Sequence, residues 1–252
     1  MMPSRWQRAT VPACKIDNRQ MPNATIAVRR SNAQSTGEWL ASHWIGIFLI
    51  VYGLWVWLPW LAPLLMHFGQ TGAGKAIYFV YSLFCHQLPE RSFFLFGPQI
   101  MYSLSDVQTA WQDTLNPMVL RRFIGNDALG WKLAWSDRMV SFYTTVWLSA
   151  IAWWPSRRKL KPPPWWVFVL LLMPMAVDGI THAVSDFSGL GRGFRDSNDW
   201  LLALTNNRLP LAYAGDALGS FNSWIRLVTG VLAGLGIAWF AFPHVEKSFA
   251  SV

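Results

Sequence analysis

Cysteine is nearly absent from this chain. There are two in 252 residues, Cys14 and Cys85, which is neither a disulfide framework nor a paired metal motif. Charge is scarce as well. Charged residues make up 13% of the chain, and only 13 of them are acidic against 21 Lys plus Arg. A soluble domain carries about 25% charged residues, so an ordinary soluble fold is excluded. The net charge of +8 does not point to nucleic acid. No nucleic-acid motif is present, and the basic residues sit beside apolar segments in the manner of cytoplasmic membrane flanks. Residues 1–40 lack the apolar core of about 7–15 residues that a cleavable signal peptide needs. The first apolar segment is therefore expected to insert the chain. Internal repeats are lacking too.

What is present is apolar and aromatic: 53% hydrophobic residues, including 17 tryptophans. Residues 44–68 carry no charge and are long enough to cross a hydrocarbon core of about 30 Å. Residues 139–154, 167–184 and 224–242 read as three further spans. A basic hairpin containing Arg157, Arg158, Lys159 and Lys161 lies between the second and third. The pairs Trp153-Trp154 and Trp165-Trp166 at its mouths mark a membrane interface. Residues 76–84 are apolar, 85–92 are polar, and 93–96 are apolar again. That is too short for an ordinary span of about 20 residues, so a broken or re-entrant helical segment is expected.

The positive-inside pattern places the tail and the basic hairpin together on the cytoplasmic side. The expected organisation is a basic, disordered cytoplasmic tail (1–42), a membrane bundle (43–242) with outer loops 97–135 and 186–220, and a short cytoplasmic tail (243–252). In the first loop, Ser105-Asp106-Val107-Gln108 has capping-box form, and Asn116-Pro117 starts a second short helix. In the second loop, Ser197-Asn198-Asp199 is expected to cap a helix. The run Gly189-Leu190-Gly191-Arg192-Gly193 follows no strand and reads as a loop.

The residues that could carry chemistry cluster around the polar break. Cys85 and His86 can bind zinc, iron or copper. Equally, His86 can satisfy a freed carbonyl while Cys85 packs as a small hydrophobe. Glu90 and Arg91 can pair with each other or with Asp137 and Arg138, giving a salt network or an anion site. Asp178, His182 and Asp186 stand at i, i+4 and i+8, one polar stripe with Ser185 beside it. A carboxylate so spaced can orient the imidazole for metal binding or proton transfer, or the stripe can simply cap a helix end. Arg226 either snorkels outward or meets an acid, and Asp178 is the expected partner, with His182 close by. Gly230, Gly234 and Gly236 allow close helix approach.

At these residues the sequence resembles an uncharacterised family of prokaryotic multi-pass membrane proteins, domain of unknown function 2085. The resemblance rests on Cys85-His86-Gln87-Leu88-Pro89-Glu90-Arg91-Ser92, on Asp178-Gly179 and on Arg226-Leu227-Val228-Thr229-Gly230, and runs from about residue 75 to 240. Many members carry Cys-x-Arg-Cys-Thr-Gly-Ile-Tyr at the head of the next span. Here Arg138 and Tyr143 match, but Ser136 and Met139 stand in place of the cysteines. The thiol-rich metal site that the family implies therefore lacks two ligands. The resemblance implies a prokaryotic inner membrane and no established activity.

The expectation is an all-α integral membrane bundle of four full spans plus one short broken or re-entrant segment, both termini cytoplasmic. A polar intramembrane site would take a ligand or a metal. The alternative is an accessory or scaffolding subunit of a larger membrane complex, and the third reading a transporter. The partners implied are the lipid bilayer and other membrane proteins. No catalytic residue, cofactor or substrate is assigned, a metal being the one cofactor candidate.

Overall fold

The computed structural model describes residues 21–157, 159–209 and 212–250, and side chains from residue 36 onward. Residues 1–20 of the expected basic tail, including Arg5, Arg8, Lys15 and Arg19, lie outside the described residues. From Met21 the chain is helical, so the later part of the expected disordered arm is helix. The chain divides into two units, residues 1–43 with Val252, and 44–251. In the first, Trp39 and His43 stack at 4.7 Å, one turn apart on the helix. The rest concerns the second unit.

The protein is mostly helical. Helix α1 (Met21–His67) runs through Pro59 and Pro63. It ends in a left-handed Gly69, whose N–H donates to Met66 O while Gln70 N–H donates to Leu65 O, a Schellman stop that only glycine enters without strain. Helix α2 (Thr71–Ser82) folds back along α1, with Gly74 close against Met66 and the Ala62 carbonyl. Its 12 residues span about 18 Å at 1.5 Å per residue, too little to cross a bilayer.

The helix does not resume after the polar break. Pro89–Arg91 forms one 3-10 turn, and Ser92–Leu95 is strand β1. It pairs antiparallel with β3 (Gly130–Ser136), whose other edge carries β2 (Gly125–Asn126). This small sheet corrects the expected broken helix. A four-residue apolar run has no period that separates strand from helix. Phe94 is buried with Leu88, Tyr102, Val107, Leu120, Phe123 and Leu190, and these side chains form a small core outside the helix bundle.

Helices α3 (Leu104–Ala110) and α4 (Pro117–Leu120) cover that core. The capping box is real but begins two residues earlier than expected: Ser103 is the N-cap, reciprocally bonded with Asp106. Asn116 caps α4 with proline at its first position, as the sequence implied.

Strand β3 leads directly into α5 (Asp137–Trp153), which packs against α9 (Phe221–Ala250). Helix α6 (Trp165–Asp186) packs on α9 as well. Gly230 and Gly234 face α5, where a Cβ on Gly234 would lie 2.8 Å from Phe142 O; Gly236 faces Leu171 of α6. Helix α9 extends well past residue 242, so most of the expected C-terminal tail is helix. Short helices α7 (Phe194–Ser197) and α8 (Asp199–Thr205) lie between α6 and α9. Asn198 precedes α8 but caps nothing with its side chain, which instead bonds Arg195 O and Tyr213 O.

Among the described residues, three helices are long and apolar enough to cross a membrane: Thr36–His67, Trp165–Asp186 and Phe221–Phe249. Helix α5, with 17 residues, is shorter. At the end of α5 and α9 away from the sheet, Ile45, Trp153, Ala238 and Phe242 form one cluster. There Trp44 Nε1 donates to Glu246 at 2.8 Å, and Arg157 lies 3.7 Å from the same carboxylate.

Candidate functional site

The opposite end of the bundle is polar and buried. The 3-10 turn brings Arg91, the first turn of α5 brings Asp137 and Arg138, and the last turns of α6 bring Asp178, His182 and Asp186. Helix α7 supplies Arg195, the loop before α9 Asp216, and the second turn of α9 Arg226.

These charges form two chains. In one, Arg91 grips Asp186 bidentately at 2.8 Å and donates to Asp216 at 2.7 Å. Asp216 also accepts from Arg226 at 2.5 Å, and Arg226 Nε reaches both oxygens of Asp137 at 2.9 Å. In the other, Asp178 is held between Arg138 at 2.6 Å and Arg195 at 2.7 Å. Arg138 N–H donates to Asp137 at 2.7 Å and joins the two chains. Asp137, Arg226 and Asp178 are 0%, 2% and 3% exposed, so each charge depends on its partner rather than on water.

The first chain holds three carboxylates and two guanidiniums, and the second one carboxylate and two guanidiniums. One is therefore a charge short and the other a charge over, and together they balance. Burial alone would push Asp216 up, but Arg91 and Arg226 outweigh it and hold its carboxyl below the usual range. Burial works against the Arg91 charge, and Asp216 and Asp186 overcome it, so Arg91 stays protonated.

The expected Asp178–Arg226 pair does not form. Asp178 takes Arg138 and Arg195, while Arg226 takes Asp137 and Asp216. The polar stripe of α6 does form, with His182 Nε2 3.6 Å from Asp178. Arg91 pairs with neither Glu90, Asp137 nor Arg138. Arg195 and Asp216 were missed: in sequence they are two charges in a polar loop, with nothing to set them apart from a solvated one.

Glu90 stands outside the network. It is 2% exposed, and neither carboxylate oxygen has a hydrogen-bond partner among the described residues. Burial pushes it from an ordinary 4.5 up to about 7, with Arg91 and Lys132 pulling partly the other way. Lys132, buried in β3 and donating to Gln87 O and Arg121 O, is pushed down to about 7 by the same cause. A carboxyl raised on folding stabilises fully below about pH 4.5, and that contribution is lost as pH rises to about 7. Glu90→Gln should therefore match wild type at pH 4.5 and exceed it by about 3 kcal/mol at pH 8. Unfolding curves in detergent at the two pH values check this; equal differences at both would contradict it.

A cavity of about 520 Å³ opens beside the network. Its polar wall includes Cys85, His86, Arg91, Asp137, Arg138, His182, Asp186 and Arg226, and its apolar wall Phe84, Ala183, Phe187 and Leu190. Cys85 is buried and its Sγ accepts from Gln87 N–H; His86 is exposed. Among the described residues no group of three or more His, Cys, Asp or Glu is placed to hold a metal ion, so Cys85 and His86 remain two donors.

Two residues that line the cavity each carry a donor with no acceptor among the described residues. Arg138 Nε is buried without a partner, and so is His182 Nδ1. His182 Nε2 lies 3.1 Å from Arg195 Nη2. A guanidinium only donates, so Nε2 accepts and the ring proton sits on Nδ1.

The stretch that carries most of this network also resembles a known family. Residues 127–240 match the family model described as predicted membrane protein, DUF2085. The family resemblance read from the sequence is thus found, over a shorter stretch than expected. The DUF2085 match includes every charge of the network except Arg91 and begins after the Cys85–Ser92 motif. The chain is also 27% identical over 205 residues to an uncharacterised protein of the archaeon Methanocaldococcus jannaschii, covering 78% of this chain and 89% of that one. No solved structure matches.

Proposed function

We propose that the protein is a four-span inner-membrane protein whose outer cavity binds a small amphiphile bearing acceptor oxygens, a carboxylate or a phosphate. The observation that carries this reading is the pair of buried, unclaimed N–H donors, Arg138 Nε and His182 Nδ1, on residues lining a 520 Å³ cavity. A buried donor without an acceptor costs about 1–3 kcal/mol, and a ligand oxygen would remove that cost. Phe84 and Phe187, 55% and 90% exposed, supply an apolar mouth for a hydrocarbon tail. The cavity volume lies within the range of about 300–1,000 Å³ usual for small-molecule sites.

The test uses dodecanoate and dodecyl phosphate as probes, with dodecyltrimethylammonium and dodecanol as controls. The anionic probes should raise the melting temperature of purified protein by several degrees, and the controls should not. Equal shifts with all four would leave only apolar binding and sink the reading.

In this reading α5 is the fourth span, and both termini share the cytoplasmic side with the basic hairpin. The contacts of Glu246 with Trp44 and Arg157 support it, since they put Trp44 of α1, the hairpin and the end of α9 at one pole. Reporter fusions after Lys161 and within residues 125–131 should report opposite sides of the membrane; same-side signals would overturn the four-span topology.

The scaffolding reading has its own support, because each of the four network aspartates is paired internally, as groups that only knit helices together would be. It predicts that filling the cavity without touching a charge changes nothing.

A further inference from the structure

A second pocket, of about 430 Å³, lies on the other side of the Cys85 loop. It is lined by Lys75 and Phe79 of α2, Met118 of α4, and Arg121 and Arg122 just beyond it, with Tyr78 at its wall. It holds three cations and no carboxylate. Among the described residues none of the three forms an ion pair, whereas every arginine of the buried network does. Arg121 is pinned from behind, its Nη2 donating to Ser82 O at 2.6 Å and Cys85 O at 3.4 Å. Lys75 and Arg122 are exposed and Arg121 half-buried, so all three can reach an anion, and an anion would relieve what repulsion water leaves between them.

The rim adds a second feature. Phe79 is 69% exposed and Met118 59%, and Val80, Leu83 and Phe84 continue the uncovered apolar face of α2 and the loop after it. Cations set in a pocket behind a strip of exposed apolar side chains match a phosphate with acyl chains beside it.

We propose that Lys75, Arg121 and Arg122 form a phosphate-binding site for the headgroup of an anionic phospholipid. Guanidinium and ammonium groups donate to the phosphate oxygens, and the acyl chains lie along Phe79, Val80 and Leu83. The site is separate from the network cavity: it shares with it only the Gln87 segment and uses none of its ion pairs.

The experiment is native mass spectrometry of the full chain in detergent, titrated with phosphatidylglycerol, with phosphatidylcholine, and in a third arm with inorganic phosphate. Wild type is compared with Lys75→Gln/Arg122→Gln and with Lys75→Arg/Arg122→Lys. Phosphatidylglycerol should bind one to one, at least tenfold more tightly to wild type than to the Gln variant, and the charge-keeping variant should retain it. If inorganic phosphate binds with the same dependence on the cations, the phosphate group alone suffices as ligand. If only the lipid binds, the acyl strip is part of the site. Equal binding of phosphatidylglycerol to wild type and Gln variant, or equal binding of phosphatidylcholine, would overturn the proposal. Melting curves of both variants confirm folding, and an Ala183→Trp chain, blocked at the network cavity, should still bind.

Discussion

Arg226→Gln is expected to cost about 3–5 kcal/mol, the range for breaking a buried pair from one side. The variant strands Asp137, which is fully buried and keeps only the Arg138 backbone N–H. Asp216 retains Arg91 and suffers less. Adding Asp137→Asn should recover much of the loss, because the stranded charge is then gone. The contrasting cycle, Asp178→Asn with Arg226→Gln, should be nearly additive, since the two residues share no ion pair. Unfolding in detergent across both cycles checks this. Strong coupling between Asp178 and Arg226 together with weak coupling between Asp137 and Arg226 would mean the network is wired differently.

Gly230→Leu should be as damaging, for a steric reason. A Cβ at this position would run into Ser141 Oγ and lie 2.9 Å from Arg138 O. Serine can turn aside, but the carbonyl belongs to α5 backbone and moves only if the helices part. Overpacking costs about 1–3 kcal/mol where side chains can adjust, and more where they cannot. Here separation would also pull Asp137 and Arg138 away from Arg226 and Asp178. A cost of about 3 kcal/mol or more is expected, along with loss of the anion-induced stabilisation. Gly46→Leu on α1 is the control: nothing lies within 4 Å of its Cβ position, and its effect should be small. Equal effects at Gly230 and Gly46 would mean that α5 and α9 do not meet closely at that glycine.

The helices were legible because apolar length and tryptophan placement report directly on the bilayer, as in residues 44–68 and 167–184. The glycine contacts of α9 were legible for a similar reason, since small residues four apart on one face have few other uses in a membrane helix. The sheet was not. Strand β3 is buried at Gly130, Lys132, Leu133, Ala134 and Trp135, so no alternation of polar and apolar residues announces it. The polar stripe of α6 followed from spacing alone. Its partners did not follow, because Arg195 comes from the short helix α7 and Arg91 from the 3-10 turn, and only tertiary folding brings them to the end of α6. Choosing Arg226 for Asp178 treated the spans as the sole source of charge, whereas the first turn of α5 places Asp137 nearer to it.

The central claim is that the cavity beside the network is a ligand site rather than a gap left by knitting helices together. Ala183→Trp tests it most directly, since it fills the cavity from α6 and removes no polar group. The measurement is native mass spectrometry of wild type and variant taken straight from membranes into mild detergent, with melting temperatures alongside. A ligand site predicts a one-to-one adduct bearing a carboxylate or phosphate on wild type that is absent from the variant, in addition to any phospholipid that Lys75 and Arg122 hold on both, with anion-induced stabilisation lost as well. Identical adducts on both proteins when Lys75→Gln/Arg122→Gln has removed that phospholipid, or none on either together with unchanged anion responses, would contradict it.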